Sequence, residues 1–196
     1  MLTLVIGLAL FFAIHLVPTQ PPLRAGLVDR YGETAYKIAF AVVSLVGLAL
    51  IVVGYAKLQA MPGKNPQLWF PPLWTRHLAL ALMVPSMVLL VAAYVPSRIR
   101  DAVKHPMLAA IKLWALAHLL ANGDLASVVL FGSFLAWAVF DRISVKRRAS
   151  GGLGPLGARS GGPILNDVLV VGAGVALYVG LLHGVHKLLV GVSPLG

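Results

Sequence analysis

Apolar residues in this chain come in long unbroken runs, at about 1–17, 38–56, 78–95, 106–123, 125–140 and 168–186, and only Lys112 puts a lysine, arginine, aspartate or glutamate inside one of them. An α-helix rises about 1.5 Å per residue, so a hydrocarbon core about 30 Å thick takes about 20 residues to cross. Most of the runs approach that length. The pattern therefore predicts an all-α fold, a polytopic integral membrane bundle of about six transmembrane helices over about 1–17, 38–56, 76–95, 106–121, 125–141 and 167–187. Pro18, Pro21 and Pro22 end the first helix, Pro71 and Pro72 precede the third, and Pro96 closes it. The fourth and fifth are short for full crossings and meet at a tight turn, Asn122-Gly123-Asp124. Residues 149–163, rich in Gly, Ser and Pro, read as the one flexible linker, and the whole chain as a single domain.

Composition agrees with the pattern. Hydrophobic residues make up 59% of the 196 positions and charged residues 11%, and the mean hydropathy is +0.90; soluble domains carry roughly 25% charge. The net charge of +10 does not point to nucleic acid, because the basic residues are scattered over the links between apolar runs instead of forming one stripe. They orient the bundle. Arg24, Arg30 and Lys37, then Arg98, Arg100 and Lys104, then Arg142, Lys146, Arg147, Arg148 and Arg159 fall in one set of loops, and only Lys57, Lys64, Arg76 and Lys187 in the other. The positive-inside rule makes the first set cytoplasmic and puts both termini on the outer side. The first 17 residues lack a basic leader and an Ala-x-Ala cleavage site, so they read as a retained helix.

No cysteine is present, which excludes disulfides, iron–sulfur clusters and thiolate ligation of haem. Gly-x-Ser-x-Gly, P-loop, Gly-x-Gly-x-x-Gly and His-Glu-x-x-His patterns are absent as well, so nucleophilic hydrolysis and nucleotide chemistry lack support. Six histidines remain as candidate ligands: His15, His77, His105, His118, His183 and His186, all in or at the ends of apolar runs. Polar groups at membrane depth cost a few kcal/mol each on insertion scales and so need a partner or a use.

His118 stands out, because Trp114 and Asn122 lie one turn to either side of it, a stripe suited to face protein and not lipid. Asp124 is the one carboxylate placed to reach the bundle interior, although its position after Gly123 suits it to capping the fifth helix. His105 before Pro106 and His77 beside Arg76 read as interfacial. His183 and His186 share a helix face, but Lys187 places them toward the outer surface.

The segments Phe11-Phe12-Ala13-Ile14-His15-Leu16-Val17-Pro18, Pro22-Leu23-Arg24, Tyr31-Gly32-Glu33 with Tyr36, His105-Pro106-Met107-Leu108, and Leu113 through Asp124 resemble the NnrU family over nearly the whole chain. That family is associated with nitric oxide metabolism in denitrifying bacteria and is similar to 15-cis-zeta-carotene isomerase, an integral membrane enzyme with haem b. The resemblance implies a bacterial inner (cytoplasmic) membrane protein with periplasmic termini and a haem b whose axial ligands fall on His15 and His118, in a site lined by Trp114, Asn122 and Asp124. The isomerase has a cysteine near the second histidine. Here Ala115 to Ala117 occupy that stretch, so the resemblance does not extend to thiolate ligand exchange.

One difficulty stands beside it. By the loop charges His15 lies near the inner end of its helix and His118 past the middle of its own toward the outside, whereas two ligands of one iron must share a depth. Either the fourth and fifth helices dip into the bilayer, or the Pro18–Pro22 segment is sunk, or His77 is the partner of His118. The functional expectation is haem-based redox or isomerase-like chemistry linked to nitrogen-oxide metabolism, with the lipid bilayer and a hydrophobic small molecule or a membrane oxidoreductase as partners. Two other readings stay open: a non-catalytic protein assisting assembly or maturation of a respiratory oxidoreductase, and a small-molecule transporter.

Overall fold

The computed structural model of the chain describes residues 1–148 and 162–195. These fall in two compact units, Met1–Pro66 and Gln67–Gly196. Most of the 149–163 stretch, with Arg159 in it, lies outside the described residues.

The first unit is a helical hairpin. Helix α1 (Leu2–Leu16) runs through a short 3-10 turn (Val17–Thr19) into α2 (Pro21–Tyr31), and Gly32, with φ +82°, turns the chain into α3 (Glu33–Gln59). Helix α2 was not expected, because Pro21 and Pro22 read as breakers. They occupy its first turn, where the missing N–H groups would have no intrahelical partner and the fixed φ of proline is already helical.

Antiparallel α1 and α3 meet through glycine. A Cβ on Gly54 would lie 2.5 Å from the Leu4 nitrogen, one on Gly7 2.6 Å from the Ile51 nitrogen, and one on Gly47 2.9 Å from the Phe11 nitrogen. Small residues let backbones approach this closely, which matters in a bilayer where lipid tails are as apolar as the side chains and dispersion must hold helices together.

The second unit is built around α4 (Leu73–Ala92), which packs on α6 (Pro106–Ala121) and α8 (Ile164–Gly180), while α7 (Leu125–Arg148) packs on α6. Pro85 lies inside α4 and withdraws one backbone donor from the helix. The next residue, Ser86, is buried and donates its hydroxyl to the Ala110 carbonyl of α6 at 2.9 Å. Alanines at 79, 110, 115 and 117 are buried in this unit, and Gly174 brings α8 against Val88 of α4, where a Cβ would lie 2.6 Å from the Val88 Cα. A short helix α5 (Arg98–Val103) precedes α6; Ser97 caps it, and Asp167 accepts from the Arg98 backbone N–H at 2.8 Å, tying it to α8.

Among the described residues five helices are long and apolar enough to cross a membrane, and α6 is a shorter apolar helix, in line with the expected count of about six. At 16 residues α6 spans about 24 Å, short of a full crossing. The apolar part of α7 ends near Phe140, as expected, but the helix continues to Arg148 through charged residues. Beyond Gly180, α8 passes through a wide π turn (Leu181–Val185) into α9 (His186–Val190).

Candidate functional site

The tight turn after α6 is built as its residues suggest. Gly123 accepts through its carbonyl from the backbone N–H groups of Leu68 and Trp69, at 2.7 and 3.2 Å, and a Cβ there would collide with the Trp69 carbonyl. Asp124 caps α7: one carboxylate oxygen accepts from the Ser127 backbone N–H at 2.9 Å, the other from the Ser127 hydroxyl at 2.6 Å. Its carboxylate is thus engaged in structure. Asn122 donates to the His118 carbonyl twice, through its backbone N–H and through its side-chain amide, both at 2.9 Å, and so closes the end of α6.

That turn leaves His118 in the last turn of α6. Its Nδ1 lies 2.8 Å from the Trp114 carbonyl, one turn back. A carbonyl only accepts, so Nδ1 carries the proton, and in the neutral ring Nε2 carries the lone pair. The ring lies over Phe131 of α7, 4.4 Å between centroids and 27° between planes, and 5.1 Å from the Trp114 ring. Phe134 stands edge-on to Trp114 at 5.4 Å.

In front of His118 is a cleft of about 150 Å³, open on one side. Its walls come from α4 (Arg76, Ala79, Met83), α6 (Ala117, Asn122), the α8–α9 segment (Tyr178, Leu182, His186) and the residues after α9 (Val192, Ser193). The wall is mostly apolar, with Arg76, Asn122, Tyr178, Ser193 and the two histidines as its polar groups. His186 was expected at the outer surface, but its ring lies 6.3 Å from that of His118, with planes 23° apart. Tyr178, Arg76 and Met83 carried no sequence signal. They join the cleft only because α4, α6 and α8 pack together.

His15 belongs to the first unit and repeats the local arrangement of His118. It too ends a helix, its Nδ1 donates to the Phe11 carbonyl one turn back at 2.6 Å, and the Phe11 ring lies over it at 4.0 Å and 24°. Phe40 is 5.1 Å from the same ring; Tyr36 lies 6.3 Å from Phe40, and the Arg24 guanidinium sits 5.7 Å over Tyr36. Residues quoted for the family resemblance therefore gather around His15.

Of the remaining histidines, His77 and His183 are exposed and do not line the cleft, and His105 occupies the N-cap position of α6. Trp114 borders His118 and lines a second, more open cavity of about 310 Å³ with Ser86 and Leu177. Among the described residues no group of three or more histidine, cysteine, aspartate or glutamate side chains is placed to hold a bare metal ion.

Fold and site together define a class: a multi-pass α-helical membrane protein with a histidine-lined cleft among its helices. The chain belongs to the NnrU family, whose model, described as NnrU protein, matches residues 3–194. Among curated proteins and among solved structures, none matches it.

Proposed function

We propose that this NnrU-family membrane protein binds haem b through His118 and works in redox or isomerase-like chemistry linked to nitrogen-oxide metabolism, in the bacterial inner membrane with both termini periplasmic. One observation carries the reading: the His118 ring is fixed by the Trp114 carbonyl, which leaves Nε2 as the donor atom in a largely apolar cleft. Histidine ligands are commonly fixed in this way, through the ring nitrogen that does not bind the metal.

The donor set suits haem better than a bare ion. A free divalent metal needs about four ligands, whereas a macrocycle supplies four of the six around its iron. About 150 Å³ lies inside the cleft; because the cleft is open, that volume does not bound what projects from its mouth. Arg76 at the wall suits a propionate, and the aromatic surfaces of Phe131 and Trp114 keep water from the ring.

Haem b bound here would supply one-electron transfer or reversible binding of a small ligand such as nitric oxide. The protein's own part is to hold the imidazole in one tautomer, to exclude water with aromatic and alanine side chains, and to offer a hydroxyl and a guanidinium at the cleft wall.

Absorption of protein purified from haem-supplied cells tests the reading. A Soret band in the wild type that His118→Ala loses is the expected result. No haem in the wild type, together with a co-purifying oxidoreductase, would favour a maturation role instead.

A further inference from the structure

We infer that His186 supplies the second imidazole to the metal centre held by His118. This inference rests on the haem reading above and replaces the family-derived partner with one from the same unit.

Three observations carry it. A metal bound to a ring nitrogen at about 2.0–2.1 Å lies about 3.2 Å from the ring centre, so two imidazoles sharing one ion keep their centroids within about 6.4 Å. The 6.3 Å between His118 and His186 falls just inside that limit, at the value for donors on opposite sides of the ion. Rings that share an ion at this separation must present their Nε2 atoms to it from opposite sides.

Second, His186 is fixed as His118 is. Its Nδ1 donates to the Val192 carbonyl at 2.7 Å, so Nε2 is the lone-pair atom, and no hydrogen bond reaches the Nε2 of either ring among the described residues. The bond depends on Gly191, whose φ of +81° folds the chain back so that Val192, Ser193 and Pro194 reach the cleft. Ring orientation at this position is therefore set by backbone on both sides of the cleft.

Third, the backbone departs from a regular helix just before His186. The chain kinks at Gly184, whose backbone is not helical, and the His186 N–H reaches back five residues to the Leu181 carbonyl. His183 is exposed, while His186 lines the cleft. Two imidazoles without a third side-chain donor cannot close a tetrahedral site, but they complete an iron whose other four ligands come from a macrocycle.

The test is electron paramagnetic resonance and absorption of the full-length ferric protein in detergent, for the wild type and for His186→Ala, His186→Gln and His15→Ala. The expected result is a low-spin wild type, conversion to high-spin iron in both His186 variants, return to low spin on adding free imidazole, and an unchanged low-spin signal in His15→Ala. A low-spin signal that survives in His186→Gln overturns the inference. Conversion to high spin in His15→Ala does so as well and gives the second ligand back to His15, leaving the haem reading intact. Absence of haem from the wild type overturns both.

Discussion

The His118 imidazole donates to the carbonyl of Trp114, one turn back along α6, at 2.8 Å, and this bond decides which nitrogen is left to bind a ligand. A side chain without a ring cannot reproduce that arrangement. His118→Ala is expected to lose haem while keeping its helical content, and millimolar free imidazole should restore part of the Soret band by filling the vacated space. Circular dichroism and absorption on the same sample check both halves of the expectation.

Asp124 separates structure from chemistry. Its two oxygens are taken up by the Ser127 backbone and hydroxyl, so Asp124→Ala should cost about 1 kcal/mol of stability, the usual loss for an N-cap, and leave haem content at the wild-type level. Thermal denaturation in detergent and haem stoichiometry measure the two effects. Loss of haem with unchanged stability would return Asp124 to the ligand site.

Glycines in the first unit should be intolerant. Gly54→Leu forces side-chain atoms into the Leu4 backbone and should destabilise the α1–α3 hairpin by about 1–3 kcal/mol, the ordinary cost of overpacking. Gly26→Ala, where nothing lies within 4 Å of the added Cβ, is the control: inside α2 it gains about 1 kcal/mol of helix propensity and should raise the melting temperature by about 2–4 °C, not lower it.

At the far end of the chain, Gly191→Val puts a β-branched residue at φ +81° and should cost about 1–2 kcal/mol locally. Since the turn positions the Val192 carbonyl for His186, the readout is spectroscopic: a mixture of low-spin and high-spin iron where the wild type is uniform. A uniform low-spin signal would mean that the turn does not orient the ring.

The chain has no cysteine, so single-cysteine variants report topology cleanly. Lys64→Cys is expected to react with a membrane-impermeant maleimide added to intact spheroplasts, and Lys146→Cys only after lysis, because the loop charges place position 146 on the cytoplasmic side. Labelling in the reverse order would invert the bundle.

Helix positions were legible because each apolar run follows the thickness of the bilayer, but run length says nothing about where the hydrogen-bonded helix stops. Hence α3 begins at Glu33, which pairs with Lys37 at 2.9 Å, and α7 continues past Phe140 to Arg148: charged residues extend a helix beyond the membrane at little cost. Helix α2 was hidden by Pro21 and Pro22, whose helix-starting role is visible only once a helix is known to follow. His118 could be singled out because Trp114 and Asn122 lie on its own helix.

His186 could not, because its side chain meets a helix more than sixty residues earlier in sequence, and Lys187 beside it suggested the surface. Its place in the cleft depends on the π turn and on Gly191, neither of which has a signature in apolar periodicity.

Titration of haem-free protein with ferric haem, followed by tryptophan fluorescence, tests the central claim most directly, since Trp114 lies 5.1 Å from His118, ring to ring. The account expects saturable quenching at one haem per chain, a much smaller quench in Trp114→Phe at unchanged stoichiometry, and no saturable binding in His118→Ala. Equal, saturable quenching of the wild type and His118→Ala would contradict it.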